Sequence, residues 1–257
     1  MVIALHRGWV AIGGLAAGLG FAALVLWASA PLQNAAQTRS AASMNAPVLS
    51  FIRTGAREVA LTFDDGPDPR NTPAILHLLS EYHARATFFV LGVQAKRYPG
   101  LVETIERDGN EIGSHGMSHR SLPSLKPSRV TYELSSTAGL IQELTGSGPL
   151  FFRPPYGNLS PTVLTTAAHL HETVTLWTID TRDWAGRSAK DIAKTVLSQL
   201  RPGAIVLLHD GGGPRVQTIK ALRDILQALQ ERGYTSVTLQ RLVHDAGPRV
   251  GAATAGP

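Results

Sequence analysis

Two histidines four residues apart, His115 and His119, stand among small residues in Gly113-Ser114-His115-Gly116-Met117-Ser118-His119. Small neighbours leave both imidazoles room to turn to one side. Two neutral imidazoles and one carboxylate make a three-ligand divalent-metal site with a position left open for chemistry. The spacing alone is weak evidence, because the chain holds nine histidines. Asp64-Asp65-Gly66-Pro67 places two adjacent acids at the end of an apolar run. An isolated Asp-Gly-Pro also suits an ordinary turn. Two acids at a buried strand end repel, however, unless a cation takes one and a second partner fixes the other. A metal and an arginine would serve. Arg153-Pro154-Pro155-Tyr156-Gly157 offers the arginine, on a loop stiffened by two prolines. Asp180-Thr181-Arg182-Asp183-Trp184 ends in a large aromatic suited to walling a sugar or acyl pocket. Leu207-Leu208-His209-Asp210 closes an apolar run on a histidine, which taken alone suits a structural role equally well.

These residues need a frame that delivers them to one place. Apolar, β-rich runs at Glu58–Asp64, Ala86–Gly92, Glu111–His115, Leu150–Arg153, Thr173–Asp180, Ala204–His209 and Thr235–Leu239 alternate with amphipathic helical patterns. The helical patterns span Asn71–His83, Pro99–Asp108, Ser128–Thr145, Ser160–His169, Ser188–Leu200 and Pro214–Arg232. Repeated βα units with nearly all-apolar strands predict an α/β fold, a parallel sheet covered by helices. About seven strands predict a closed or nearly closed barrel, with an open doubly wound sheet as the alternative. In parallel α/β folds the C-terminal strand ends share one rim, where active sites are built. Asp64, Asp65, His115, Arg153, Asp180, Asp183 and His209 all stand at or just beyond such ends.

The chain has 257 residues, 44% of them hydrophobic, enough for one large domain. It has no cysteine, so disulfides, thiol nucleophiles and cysteine-held metals are excluded, and any metal must sit on His, Asp or Glu. The net charge of +5 is scattered rather than gathered into a basic stripe, which argues against a nucleic-acid partner. Gly8–Ala30 carries no charge and is long enough to cross a bilayer as a helix. Residues 1–30 therefore read as a signal anchor or a cleaved signal peptide, with Ala28-Ser29-Ala30 as the cleavage site in the second case. Either reading predicts an extracytoplasmic domain, membrane-anchored or secreted, and a monomer is expected. Residues 31–50 read as a linker, 51–245 as the folded domain and 246–257 as a flexible tail. No Gly-x-Ser-x-Gly elbow, phosphate-binding glycine motif or His-Glu-x-x-His occurs. His77, His83, His169, His171 and His244 lie outside the motifs and read as structural or solvent-facing.

Thr62 to Pro67, Ser114 to His119, Arg153 to Tyr156, Asp180 to Trp184 and Leu207 to His209, in that order, resemble the polysaccharide deacetylase domain (carbohydrate esterase family 4, or NodB-homology domain). The five motifs span residues 58–240. The resemblance implies a distorted (β/α) barrel and metal-dependent removal of acetyl groups from polysaccharides. By motif it implies that Asp65, His115 and His119 hold a divalent metal, with zinc expected. Asp64 would be the general base and Arg153 the residue that orients it. His209 would be the general acid, tuned by Asp183 or Asp180. A backbone N–H at Tyr156 would face the oxyanion, and Trp184 and Leu207 would line the acetyl pocket. Peptidoglycan or chitin-like glycans containing N-acetylglucosamine are the expected substrates. An acetyl-xylan esterase on the same fold and a catalytically silent wall-binding protein are the alternatives.

Overall fold

The computed structural model of the chain describes residues 45–247. The expected signal or anchor at 1–30, most of the expected linker and nearly all of the expected tail lie outside the described residues.

Among the described residues nine strands follow in chain order: β1 (Val48–Leu49), β2 (Glu58–Asp64), β3 (Ala86–Val90), β4 (Glu111–Ser114), β5 (Phe151–Phe152), β6 (Thr173–Thr175), β7 (Ile179–Asp180), β8 (Ile205–His209) and β9 (Thr235–Ser236). They lie in the order β1-β6-β5-β4-β3-β2-β8-β7, with β9 against the start of β2. Every pairing among these strands is parallel. β2 is the hub, between β3 and β8. All its residues except Glu58 are buried, as a strand covered on both faces requires. Its register sets Asp64 opposite Phe89 on one side and His209 on the other. β4 continues the alignment, with Val90 opposite Ser114 and Ser114 opposite Phe152. Strand ends are thus level along one rim.

The expected strand Thr173–Asp180 is two strands. β6 pairs with β5 and β1 near one edge of the sheet, and β7 pairs with β8 at the other. Residues 176–178 connect them by exchanging partners: Leu176 N–H donates to Leu49 O, and Thr178 N–H to Ile205 O. One continuous segment therefore serves both edges, and the sheet curls into a barrel. The expected linker is also corrected at its end. Val48–Leu49 is β1, and Ala46 N–H already bonds Leu164 O, so the fold begins before residue 51. A two-residue strand carries no periodicity from which to read it.

Among the described residues eight α-helices cover the sheet: α1 (Asn71–Glu81), α2 (Gly92–Arg97), α3 (Pro99–Arg107), α4 (Pro127–Thr145), α5 (Pro161–His169), α6 (Ala189–Gln199), α7 (Val216–Glu231) and α8 (Leu239–Ala246). The hydroxyls of Ser160, Ser188 and Thr238 accept N–H bonds from Val163, Asp191 and Arg241, satisfying donors that α5, α6 and α8 would otherwise strand. Along α7, Ala221, Leu222, Ile225, Leu226 and Leu229 are buried at helical spacing against the central core. α2 and α8 add to the expected helices, and α8 takes Leu239 out of the expected last strand. Asn71 is the first residue of α1. Asp68 accepts the N–H of Asn71, which frees the Asn71 amide to bond Asp210 O and Gly213 O beyond β8.

Candidate active site

At the C-terminal ends of the strands a cleft of about 450 Å³ opens. Asp64, Asp65, His115, His119, Tyr156, Trp184, Leu207 and His209, all expected from the sequence, line it. Pro154, Trp177 and Asp180 complete the wall. Arg153 and Asp183 stand behind Asp64 and His209 and are themselves buried.

Asp64 ends β2 and is 3% exposed. Its Oδ1 accepts a 2.7 Å bond from Nη1 of Arg153, which is fully buried. The same Nη1 donates to the Thr62 hydroxyl at 2.7 Å. Nε and Nη2 donate to Thr175 O and Leu176 O, in the segment that joins the two sheet edges. The Phe89 ring lies 4.1 Å from the guanidinium carbon. The arginine can thus turn only one face to the carboxylate. Burial pushes the Asp64 carboxyl above its ordinary value; the charge and hydrogen bond of Arg153 pull it back without cancelling the effect.

His209 ends β8 opposite Asp64. Its Nδ1 is 2.7 Å from Asp183 Oδ1, while Asp183 Oδ2 accepts the His209 N–H and the Thr218 hydroxyl. Burial works against the imidazolium. The hydrogen bond and charge of Asp183, joined by the charges of Asp64 and Asp65, outweigh it and hold His209 above its ordinary value. Burial works against the Asp183 anion in turn, and the His209 bond and charge, with the Thr218 hydroxyl, hold that carboxyl low. The choice between the two acids is resolved by geometry: Asp183 pairs with His209, whereas Asp180 Oδ1 accepts the N–H of Arg182.

Between these pairs, Asp65 Oδ1 lies 3.5 Å from His115 Nε2 and 3.2 Å from His119 Nε2. One ligand atom from each of the three residues fits within 4.8 Å of the other two. Asp65 Oδ1 is buried and has no hydrogen-bond partner, an expensive state for an acceptor unless something else occupies it. His115 Nδ1 faces the Arg153 carbonyl at 2.7 Å and must donate to it, which leaves the lone pair on Nε2 facing Asp65. Burial lowers the His115 pKa to about 3, so the ring is neutral and able to ligate. This donor set fits a divalent cation.

The backbone helps aim the site. Asp65, His119 and Tyr156 adopt φ of 74°, 56° and 62°, a region that side-chain-bearing residues seldom occupy. A Cβ on Gly211 would overlap the Asp65 carbonyl, so only glycine lets the loop after β8 press against Asp65. Trp177 has no place among the expected site residues because its stretch reads as the interior of one long strand.

The polysaccharide deacetylase family model matches residues 52–174. A peptidoglycan-N-acetylglucosamine deacetylase of Bacillus cereus is 39% identical over 187 residues, covering 72% of this chain and 87% of the relative. A chitooligosaccharide deacetylase of Bradyrhizobium sp. is 37% identical over 201 residues, covering 74% of this chain and 92% of the relative. The crystal structure of the Bc1960 peptidoglycan N-acetylglucosamine deacetylase, in complex with a naphthalenyl N-oxidanyl-benzamide, superposes with a TM-score of 0.75 at 34% identity, over 77% of this chain and 94% of that one. With the five motifs gathered in one cleft and these similarities along most of its length, the chain belongs to the polysaccharide deacetylase family.

Proposed function

We propose that this protein hydrolyses N-acetyl groups on N-acetylglucosamine-containing glycans, with Asp65, His115 and His119 holding a divalent metal, zinc being the expected ion. The observation that carries the reading is the pairing of Asp64 with Arg153 and of His209 with Asp183 beside the three-residue donor set in one cleft. When bound, the cation supplies Lewis-acid polarisation of the acetyl carbonyl and charge to offset the developing anion.

The chain's own residues handle the protons. Asp64 accepts one from the attacking water as its oxygen bonds to the acetyl carbon. Arg153 holds the receiving carboxylate in position and balances its charge. His209 gives its proton to the glucosamine nitrogen as the carbon–nitrogen bond breaks, leaving acetate and a free amine. Asp183 keeps that proton in place beforehand. The Tyr156 backbone N–H offers a donor to the oxyanion, and Trp184, Leu207 and Trp177 wall the space for the acetyl methyl.

Peptidoglycan and chitin oligomers are the substrates named for the relatives above. The uncharged Gly8–Ala30 stretch supports delivery across a membrane, where wall peptidoglycan would be within reach. The test is acetate release from peptidoglycan, chitin oligomers and acetylated xylan, with and without chelator. Chelator-sensitive release from the first two is expected. Release from xylan alone would favour an esterase, and no release from any would favour a silent wall-binding protein.

A further inference from the structure

We infer that Glu133, midway along α4, is the positioning residue that holds His119 ready to ligate; this rests on reading Asp65, His115 and His119 as a metal site. The two histidines are supported differently. His115 sits at the end of β4, its N–H bonded to Val90 O and its ring to Arg153 O. His119 lies out on the loop, with its side chain 30% exposed. Beyond Asp65, its ring lies tilted 5.2 Å from the His115 ring and meets the edge of the exposed Tyr156 ring at 4.6 Å, both weak constraints. Its direction therefore depends on the peptide that feeds it.

Glu133 grips that peptide. Its Oε2 accepts the Ser118 N–H at 2.8 Å, and its Oε1 accepts the Ser118 hydroxyl at 2.8 Å. Ser118 immediately precedes His119 with its left-handed φ. The earlier loop residues are tied elsewhere, through Gly92 N–H to Gly116 O and Val93 N–H to Met117 O. Glu133 is wholly buried, and Arg129 Nη2 lies 3.2 Å from its Oε1. A position that served helix packing alone would be filled at lower cost by an apolar side chain, because a carboxylate must be desolvated. Such outer supports of metal ligands typically change affinity by about 10–100-fold when removed.

The test is the zinc dissociation constant of metal-stripped protein, measured by chelator competition beside the thermal midpoint of the stripped form. Glu133→Ala is expected to bind zinc about 10–100-fold more weakly. Glu133→Gln keeps an acceptor for the Ser118 N–H and can donate to its hydroxyl, so it is expected to bind within about threefold of wild type. Thr137→Val removes the Thr137 hydroxyl bond to Glu133 O and loosens the same helix while leaving both Glu133 bonds to Ser118 in place; it is expected to lower the midpoint and leave zinc binding unchanged. If Glu133→Ala does not fold, Ser118→Ala takes its place, with a loss of about threefold to tenfold expected. Unchanged affinity in Glu133→Ala, or in Ser118→Ala where that stands in, overturns the inference. So does an equal loss of affinity in Thr137→Val. Wild-type protein that binds no zinc sinks the metal-site reading itself, and the inference with it.

Discussion

Both ends of the sheet bury carboxyl groups, under opposite conditions. At the C-terminal end Asp64 faces Arg153, and Asp183 faces His209 and Thr218. At the N-terminal end, where β4 and β6 begin, Glu111 and Glu172 have no cation. Glu111 Oε2 accepts the Thr87 hydroxyl and the Gln240 N–H, but its Oε1 has no partner. Neither oxygen of Glu172 has one. Burial accordingly pushes Glu111 up to about 7 and Glu172 up to about 8. Asp210 is the exception at the catalytic end: burial raises it to about 7 although the Thr72 hydroxyl donates to it. Burial alone therefore does not mark a working acid. What separates the two ends is the opposite charge placed within hydrogen-bond reach, which holds Asp183 low and pulls Asp64 part of the way back from the rise that burial imposes.

The sharpest way to break that contrast is Asp64→Asn. An amide can accept the arginine's bond but not a proton, so turnover should fall by about 10³-fold or more while metal content stays that of the wild type. Arg153 would lose its counter-charge in a fully buried place, and stability should drop by up to about 3–5 kcal/mol. Acetate release, elemental analysis and a thermal melt read all three; near-normal turnover would remove Asp64 from the reaction. His115→Ala should emerge from elemental analysis without metal, and full occupancy would contradict the ligand set. Asp183→Asn is gentler. Asp183 holds His209 above its ordinary value, so removing the charge lets the histidine lose its proton at lower pH. The alkaline limb of the pH–rate profile should then move to lower pH, and an unmoved limb would separate Asp183 from the acid.

Glu172→Gln should touch stability alone. The folded carboxyl holds its proton up to about pH 8, whereas the unfolded one releases it near 4.5. Between those values the folded state binds more protons, so wild-type stability declines as pH rises through the window. The glutamine variant should escape that decline and gain about 1–3 kcal/mol at pH 9 with unchanged acetate release. Parallel pH–stability curves for the two proteins would show that Glu172 is not the source of the decline.

The site was more legible in the sequence than the frame around it. Asp64, Asp65, His115, Arg153 and His209 each stand at the end of an apolar run, and that local signal survives folding because strand ends share a rim. Val48–Leu49 is too short for any period. Thr173–Asp180 reads as one strand because Leu176 and Trp177 prolong its apolar character, and only tertiary pairing shows that the chain changes neighbours there. Glu133 lies 14 residues beyond His119, on a helix whose burial pattern gives no reason to expect a carboxylate contacting the loop.

The three residues between β6 and β7 carry one more consequence. They link the two edges of the curled sheet, and the Leu176 carbonyl within them receives the arginine that bonds Asp64. Bringing the two sheet edges together and fixing the Arg153 that bonds Asp64 thereby depend on the same three residues. A chain cut between Leu176 and Thr178 should leave Asp64 with a less firmly held arginine.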